Sequence, residues 1–549
     1  MASSRIVLSG VRYTFLLILL LIVLGRIEAA TISARSVSSA DVGAAILAAH
    51  DGDTVVVPAG TASWTSGLTI TKGITLRGAN VNPGDNLTVV LDNTPRGQAG
   101  NILNIKLLPT QSFRMTGFTF RYGSVTVRNP NPPIIISGTC PSIRMDHCHF
   151  DQLYGYHFAA AGWLYGVIDH CIFDARSGSS EVFLVFHSNW GGGSNGFGDG
   201  SWVEPPYFGS QKFIFIEDCV FNNLDGGQTT NGAIDSWSGG RYVCRYNTFN
   251  NTRPGNHGTE TSGRLRSCRA MEIYNNKINY TITGNLGQIR GGTAVIHDNT
   301  YVGSMTPAPL VVFRTIFPTS NWGGATGGVP PGCPGTWDSN DTRSGPVNEN
   351  GFSYNPTNGL YASGKHTGGN SSPTLVVSGT GWATNQWVGF ELTNLDETAN
   401  SSATYYNARI LSNTSNTITY DHSGRTVGAN TPDLIFNTGN RFEIRKPLVV
   451  LDQCGRGQGD MLAGTYPSIL NKTLNSMAWP RQASEPIYAW NNTLNGKANY
   501  APIQSGNVVI QENRDFFSNT PMPGYKPFIY PHPLTLLAPP TNLAVVPSQ

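Results

Sequence analysis

A six-residue pattern recurs along this chain at close to the length of one turn of a stacked β coil. It reads Met145-Asp-His-Cys148-His-Phe150, then Ile168-Asp-His-Cys171-Ile-Phe173, then Ile216-Glu-Asp-Cys219-Val-Phe221. The register continues as Cys244-Arg-Tyr-Asn247-Thr-Phe249, Ile273-Tyr-Asn-Asn276-Lys-Ile278 and Ile296-His-Asp-Asn299-Thr-Tyr301, with a late copy at Ala489-Trp-Asn-Asn492-Thr-Leu494. With the Cys or Asn as anchor, successive steps up to Asn299 are 23, 48, 28, 29 and 23 residues. A period of this size marks a repeat architecture, in which each coil buries its apolar face only against its neighbours. Residues far apart in sequence then fall into columns on one continuous wall.

Side-chain alternation orients each rung. Positions three and five before the anchor are mostly apolar (Ile143 and Met145, Ile214 and Ile216, Met271 and Ile273) and point inward. The residue two before the anchor then faces out: Asp146, Asp169, Glu217, Arg245, Tyr274 and His297. The anchor Asn residues are expected to stack as an internal ladder, their amides bonding coil to coil. Cys148, Cys171 and Cys219 share that register as small buried side chains. Coils about 4.8 Å apart also leave a Cys148–Cys171 disulfide open.

The 549 residues include 63 Gly, and 13% are charged, which fits neither a disordered chain nor a helical bundle. Residues 1–30 hold Arg5 and Arg12 ahead of an apolar run from Tyr13 to Gly25, a pattern expected of a signal peptide for export to the cell surface or medium. The run is short for a membrane span, and no later run is long enough for one. Without this segment, basic and acidic residues balance, so charge gives no argument for nucleic acid or anionic lipid as a partner.

The coil pattern is expected over 31–318, led by a short amphipathic helix from Ser39 to His50 that caps the open first coil. Residues 319–374 are a Gly- and Pro-rich excursion, and 375–447 have the alternation of a small inserted β domain. The coil returns over 448–530, and the Pro-rich tail 531–549 has the composition of a linker.

The opening Asp41-Val-Gly-Ala-Ala-Ile, the Asp51-Gly-Asp-Thr-Val and Pro58-Ala-Gly60 that follow, and the repeated Asp-His-Cys-x-Phe and Tyr-Asn-x-Phe coil ends resemble the pectate-lyase-like superfamily. That resemblance implies an all-β fold, a right-handed parallel β-helix, over roughly 31–315 and 448–530. The superfamily holds polysaccharide lyases, glycoside hydrolases, esterases and adhesins, so the fold leaves the chemistry open. The Asn-Thr-Asp, Asp-Asp, Gly-His-Gly and Arg-Ile-Lys pattern of polygalacturonases is not found, which argues against that type of pectin hydrolase.

Chemistry-bearing residues concentrate between 231 and 290. Asp235, His257, Glu260, Arg264 and Arg290 precede their anchors by broadly similar distances and are the candidate catalytic group. β-Elimination on a uronate chain needs a base for the C5 proton, cations to neutralise the carboxylate, and an acid for the leaving oxygen. His257 suits base or acid, and Arg264 and Arg290 suit a carboxylate fork. An exposed ion-pair ladder is the structural alternative for the same residues. Asp235 and Glu260 also qualify as the paired carboxylates of a glycoside hydrolase. A non-catalytic adhesin or glycan-binding scaffold is the third possibility.

Trp190, Trp202 and Tyr207, in the long 48-residue step, together with Trp237, Arg241 and Arg314, are candidate polysaccharide contacts. Asp146, Asp169 and Glu217 line up on successive coils and are candidate ligands for Ca2+, which favours oxygen donors and which some pectate lyases use to bridge substrate. Bonding of each acid to a turn amide is the alternative.

Overall fold

The computed structural model describes residues 29–94, 101–124, 132–153, 157–175, 181–186, 201, 205–224, 232–237, 239–256, 268–287, 289, 291–310, 361–399, 404–421, 434–445, 485–506 and 510–536. It is a parallel β-helix. The first face runs from Thr31–Ser33 through Ile214–Glu217, Arg241–Arg245, Ala270–Tyr274 and Thr293–His297 to Ile487–Trp490 and Phe516–Ser518, each strand parallel to the next. The second face stacks ten strands from Gly60–Trp64 to Thr493–Leu494. Leu68–Ile70, Leu103–Leu107, the first halves of Ile134–Asp146 and Phe158–Asp169, Glu181–Phe186 and Gly232–Trp237 form a third face.

The corner between the first and second faces explains the repeat. At every rung the residue before the anchor adopts a left-handed conformation: His147 (φ 52°), His170 (51°), Asp218 (54°), Tyr246 (58°), Asn275 (54°), Asp298 (53°) and Asn491 (52°). A single such residue turns the chain sharply and delivers the next side chain inward. Asn is suited to that inward position because its amide donates to the carbonyl two residues back and across to the preceding rung. Asn276 Nδ2 donates to the Tyr274 and Cys244 carbonyls at 3.0 and 2.9 Å, and its Oδ1 accepts the Asn247 amide at 3.0 Å. The series runs through Asn247, Asn276, Asn299 and Asn492, as the sequence pattern predicts.

In the earlier rungs Cys takes the same place. The thiols of Cys148, Cys171 and Cys219 each point to the carbonyl two residues back, at 3.3 Å. All six described cysteines are buried free thiols, so no Cys148–Cys171 bridge forms. Burial raises the pKa of both, which keeps them protonated and unreactive.

Beside the ladder, Phe150, Phe173, Phe221 and Phe249 stack inside the coil at 4.6, 4.8 and 4.8 Å between ring centroids. The corner between the third and first faces is made differently. Gly138 and Gly162 lie in register with φ of 105° and 123°, and a Cβ on Gly162 would come within 2.2 Å of the Gly138 carbonyl oxygen.

Helix Ser39–Ala48 caps the first coil, with the Ser38 hydroxyl accepting the Asp41 amide and Val42, Ala45 and Ile46 buried. A six-stranded antiparallel sheet between 362 and 445 has its own core around Trp387, Phe390, Leu392, Ile418 and Phe442. It takes in Ala362–Lys365, ahead of the 375 start read from the sequence. Arg514 and Gln511 donate to the Gly389 carbonyl and tie this sheet to the coil. The returning coil is described from Glu485 onward, so the 448–484 part of that expectation lies outside the described residues.

The described part of the tail, 531–536, differs from the linker expected over 531–549, and 525–530, expected as returning coil, run with it. Residues 525–536 run back across the outer wall of the first face. Arg245 donates to the carbonyls of Phe528 (2.7 Å) and Ile529 (2.9 Å), and Arg144 to those of Leu534 (3.0 Å) and Thr535 (3.3 Å). The His532 amide donates to Glu217 at 2.8 Å. Proline removes a backbone donor but keeps its acceptor, so Pro527, Pro531 and Pro533 do not impair a strap held through carbonyls and through Phe528 and Leu534, which pack against the wall. Residues 537–549 lie outside the described residues.

The Asn ladder carries a direct test. Asn276→Ala leaves the Asn247 amide and two carbonyls without their partner in a dry interior, at a cost of about 2–3 kcal/mol. Urea unfolding is expected to show a lower midpoint with an unchanged slope.

Candidate functional site

The outward column two residues before the anchor is buried beneath the strap. Arg114 pairs with Asp146 through Nε at 2.8 Å, Arg144 with Asp169 through Nη2 at 2.9 Å, and Arg245 with Glu217 through Nε at 2.7 Å. Asp146, Asp169 and Glu217 are all 0% exposed. Guanidinium groups therefore stand where Ca2+ was expected, because Arg114 and Arg144 occupy the neighbouring outward column and Arg245 extends the same one. Burial works against the charge on Asp146, but its bonds to Arg114 and His147 hold its pKa well below the usual carboxylate range. Burial raises the pKa of Glu217, with Arg245 opposing it.

Further along the column, Tyr274, His297 and Trp490 stack at 4.7 and 4.3 Å, and Tyr525 of the strap packs edge-on against His297 and Trp490. Here the strap meets the 205–210 segment and the two enclose a cleft of about 380 Å³. Its walls are Pro206, Tyr207 and Phe208 on one side and Met522, Pro523, Gly524 and Tyr525 on the other. Thr293, Glu485, Pro486 and Tyr488 complete the lining. The volume is in the range of small-ligand pockets, and its aromatic side chains set among polar groups suit stacking on sugar faces.

Glu272 joins the two walls. Its Oε1 accepts the Gly209 amide at 2.8 Å and its Oε2 accepts the Tyr525 hydroxyl at 2.5 Å. Burial pushes its pKa up to about 7, against the two hydrogen bonds that favour the charge. Burial and the neighbouring Glu272 charge both push the Tyr525 pKa up, so Tyr525 remains a donor. Glu485, in the lining, forms a two-pronged pair with the buried Arg269 at 2.6 and 3.0 Å.

Of the polysaccharide contacts read from the sequence, Tyr207 lies in this cleft, under Lys212 Nζ at 3.8 Å from its ring centroid. Arg241 lies behind it, 1% exposed, and spends its guanidinium on the Ser201 hydroxyl (2.7 Å) and the Pro205 and Pro206 carbonyls (2.6 and 2.8 Å). It shapes the wall and is not open to solvent. Trp237 is half-buried at the end of Gly232–Trp237. Asp235, in the same strand, is 2% exposed and in register with Leu184. Its charge acts on the buried Tyr242 hydroxyl and Cys268 thiol.

His257, Glu260, Arg264, Arg290, Trp190, Trp202 and Arg314 lie outside the described residues. Phe208, Glu272, Glu485, Tyr488 and Tyr525 were not singled out from the sequence. Glu272 and Tyr488 share one column, four residues before their anchors, and following that column would have found both.

No family model matches the chain, and no curated protein matches it. Among solved structures it is similar to the crystal structure of alginate lyase from Paenibacillus sp. str. FPU-7, at 13% sequence identity and a TM-score of 0.29. The match covers 51% of this chain and 89% of that one.

The raised pKa of Glu272 gives stability a defined pH dependence. In the unfolded chain the group ionises near 4.5 and in the folded protein near 7. Between these values the unfolded state binds fewer protons, so the protonated group's contribution is complete below 4.5 and is lost as pH rises through about 7. Glu272→Gln removes this titration. Its stability relative to the wild type is expected to rise between about pH 4.5 and 7 and then level off, as read by denaturant unfolding across that window.

Proposed function

We propose that this chain is an exported carbohydrate-active β-helix protein that binds an acidic, uronate-containing polysaccharide in the cleft at Tyr207, Phe208, Tyr488 and Tyr525 and cleaves it by β-elimination. The observation that carries the reading is the aromatic cleft on the outer wall of the coil stack, open between the 205–210 segment and the strap. Four aromatic side chains give a sugar ring apolar faces to stack on, and a stacked array of coils suits an extended polymer.

The chemistry assigned to the cleft comes from residues close to its lining in sequence. Arg290 precedes Thr293 of the lining by three positions, and Arg264 precedes Arg269, the partner of the lining residue Glu485, by five. In this reading they neutralise the uronate carboxylate while His257 moves the C5 proton.

A second reading, binding without turnover, is favoured by one observation. The described charged residues at the cleft are already committed: Arg269 to Glu485, Arg241 to backbone carbonyls and Glu272 to both walls. One set of assays separates the two. The full chain is offered a panel of uronate polymers with and without Ca2+, and both binding and the ultraviolet absorbance of unsaturated uronate ends are followed.

The lyase reading expects the chromophore to appear. It also expects Tyr488→Ala to weaken binding by about tenfold, the loss of roughly one aromatic stacking contact. His257→Ala should abolish turnover and leave binding intact. Binding without product supports the second reading. Product lacking the chromophore indicates hydrolysis, and the absence of both binding and product contradicts the proposal.

A further inference from the structure

Glu272 is 0% exposed, and both walls of the cleft end on its carboxylate, Gly209 through its amide and Tyr525 through its hydroxyl. The walls also touch each other here. Gly209 has φ 74°, and a Cβ on it would collide with the Lys526 carbonyl oxygen, so glycine lets the two segments close over the carboxylate.

The surroundings give this carboxylate little to hold its charge. Val243 and Val295 flank it in register on the neighbouring rungs. Arg245 is the cation that acts on it, from the preceding rung, but its guanidinium is spent on Glu217, the Tyr274 hydroxyl and the Phe528 and Ile529 carbonyls. Tyr274 lies on its own strand and Tyr525 on the strap, and the 205–210 segment meets it through a backbone amide, with Tyr207 as that segment's titratable side chain. The following rung brings His297, whose Nε2 is 3.5 Å from the Tyr525 hydroxyl and whose Nδ1 bonds Asp298 at 2.6 Å. A carboxyl group between valines and without an ion pair of its own is favoured in its neutral form. In that form both bonds survive, one oxygen accepting the Gly209 amide and the other sharing a hydrogen bond with the Tyr525 hydroxyl.

Closure of the walls is therefore tied to a proton. Parting the strap from the 205–210 segment admits water, and a wetted carboxyl returns toward its ordinary value of 4.5 from the value near 7 that burial imposes. Between these values the closed form keeps the proton and the open form loses it. Opening then becomes easier by about tenfold per pH unit as pH rises, and levels off above about 7. His297 acts in the opposite sense: burial lowers its pKa, so an opening that wets it is favoured by acid. The direction of the pH dependence thus identifies the group.

We propose that Glu272 is a proton-operated latch: with its proton it holds the strap and the 205–210 segment closed over the coil, and its ionisation frees them to part and widen the cleft. The latch stands on the geometry of the two walls, whatever ligand the cleft takes.

Hydrogen exchange of the full chain from about pH 5 to about pH 8.5, expressed as protection after correction for the intrinsic rate, tests this. Peptides covering 205–210 and 522–527 are expected to lose about tenfold in protection per pH unit up to about 7 and to hold level beyond it, while Arg241–Arg245 keeps its own. Glu272→Gln retains a carbonyl acceptor and cannot ionise, so the fall should disappear. Tyr525→Phe removes a hydrogen bond that favours the charge, so the level stretch should begin at a higher pH. Circular dichroism checks the fold of each variant, and either decides the question if the other misfolds. Protection that stays constant or rises with pH in the wild-type chain would overturn the proposal. So would an equal fall in folded Glu272→Gln, or an unmoved midpoint in folded Tyr525→Phe.

Discussion

The one-residue corner after the first face is the constraint on which the molecule depends. Because each rung turns on a single left-handed residue and then inserts Asn or Cys, successive rungs cannot slip past one another without breaking the amide ladder. Fixed register turns a sequence repeat into columns. Inside, the columns are Asn, Cys and Phe. Outside, they are charges and aromatics, and their order along the axis decides what can dock against the wall.

The outer columns of the first face divide into two stretches. From Asp146 to Arg245, acids and arginines satisfy one another and leave guanidinium donors for the strap's carbonyls. Buried pairs of this kind are costly to break, by about 3–5 kcal/mol when one partner is removed, and they add direction to an apolar contact in which Phe528 and Leu534 pack against the outer-wall cluster of Val167, Phe215 and Val243. His532 fits this setting. Burial lowers its pKa to about 4, so it stays neutral and its Nδ1 accepts the Leu534 amide at 3.2 Å. From Tyr274 to Trp490 the column turns aromatic, the strap rises on Tyr525, and the cleft opens. Glu272 stands where these stretches meet, binding both cleft walls with one carboxylate.

The coil, its helical cap and the Asn ladder were legible in the sequence because each is a local pattern: a period, an amphipathic stretch, a repeated amide. The fate of the outward acids was not. Asp146, Asp169 and Glu217 read as open to solvent because alternation distinguishes inside from outside but does not reveal a cover. The cover comes from Phe528 to Thr535, about 280 to 390 residues away from the arginines it meets, in a segment whose prolines resemble a linker. Carbonyl acceptors leave no mark in composition. The cleft was only partly legible for the same reason: Tyr207 stood out as an aromatic in a Gly-rich loop, whereas Tyr525 belonged to the strap and Tyr488 to an ordinary-looking rung.

Hydrogen exchange over residues 525–536, set against the rung Arg241–Arg245, tests this account most directly. If the charged column seals the strap to the coil, the His532 amide and its neighbours should exchange nearly as slowly as the rung beneath them. Exchange at the rate of a free peptide, with the rung still protected, would mean that the strap is not held by the column and that the cleft loses one of its walls.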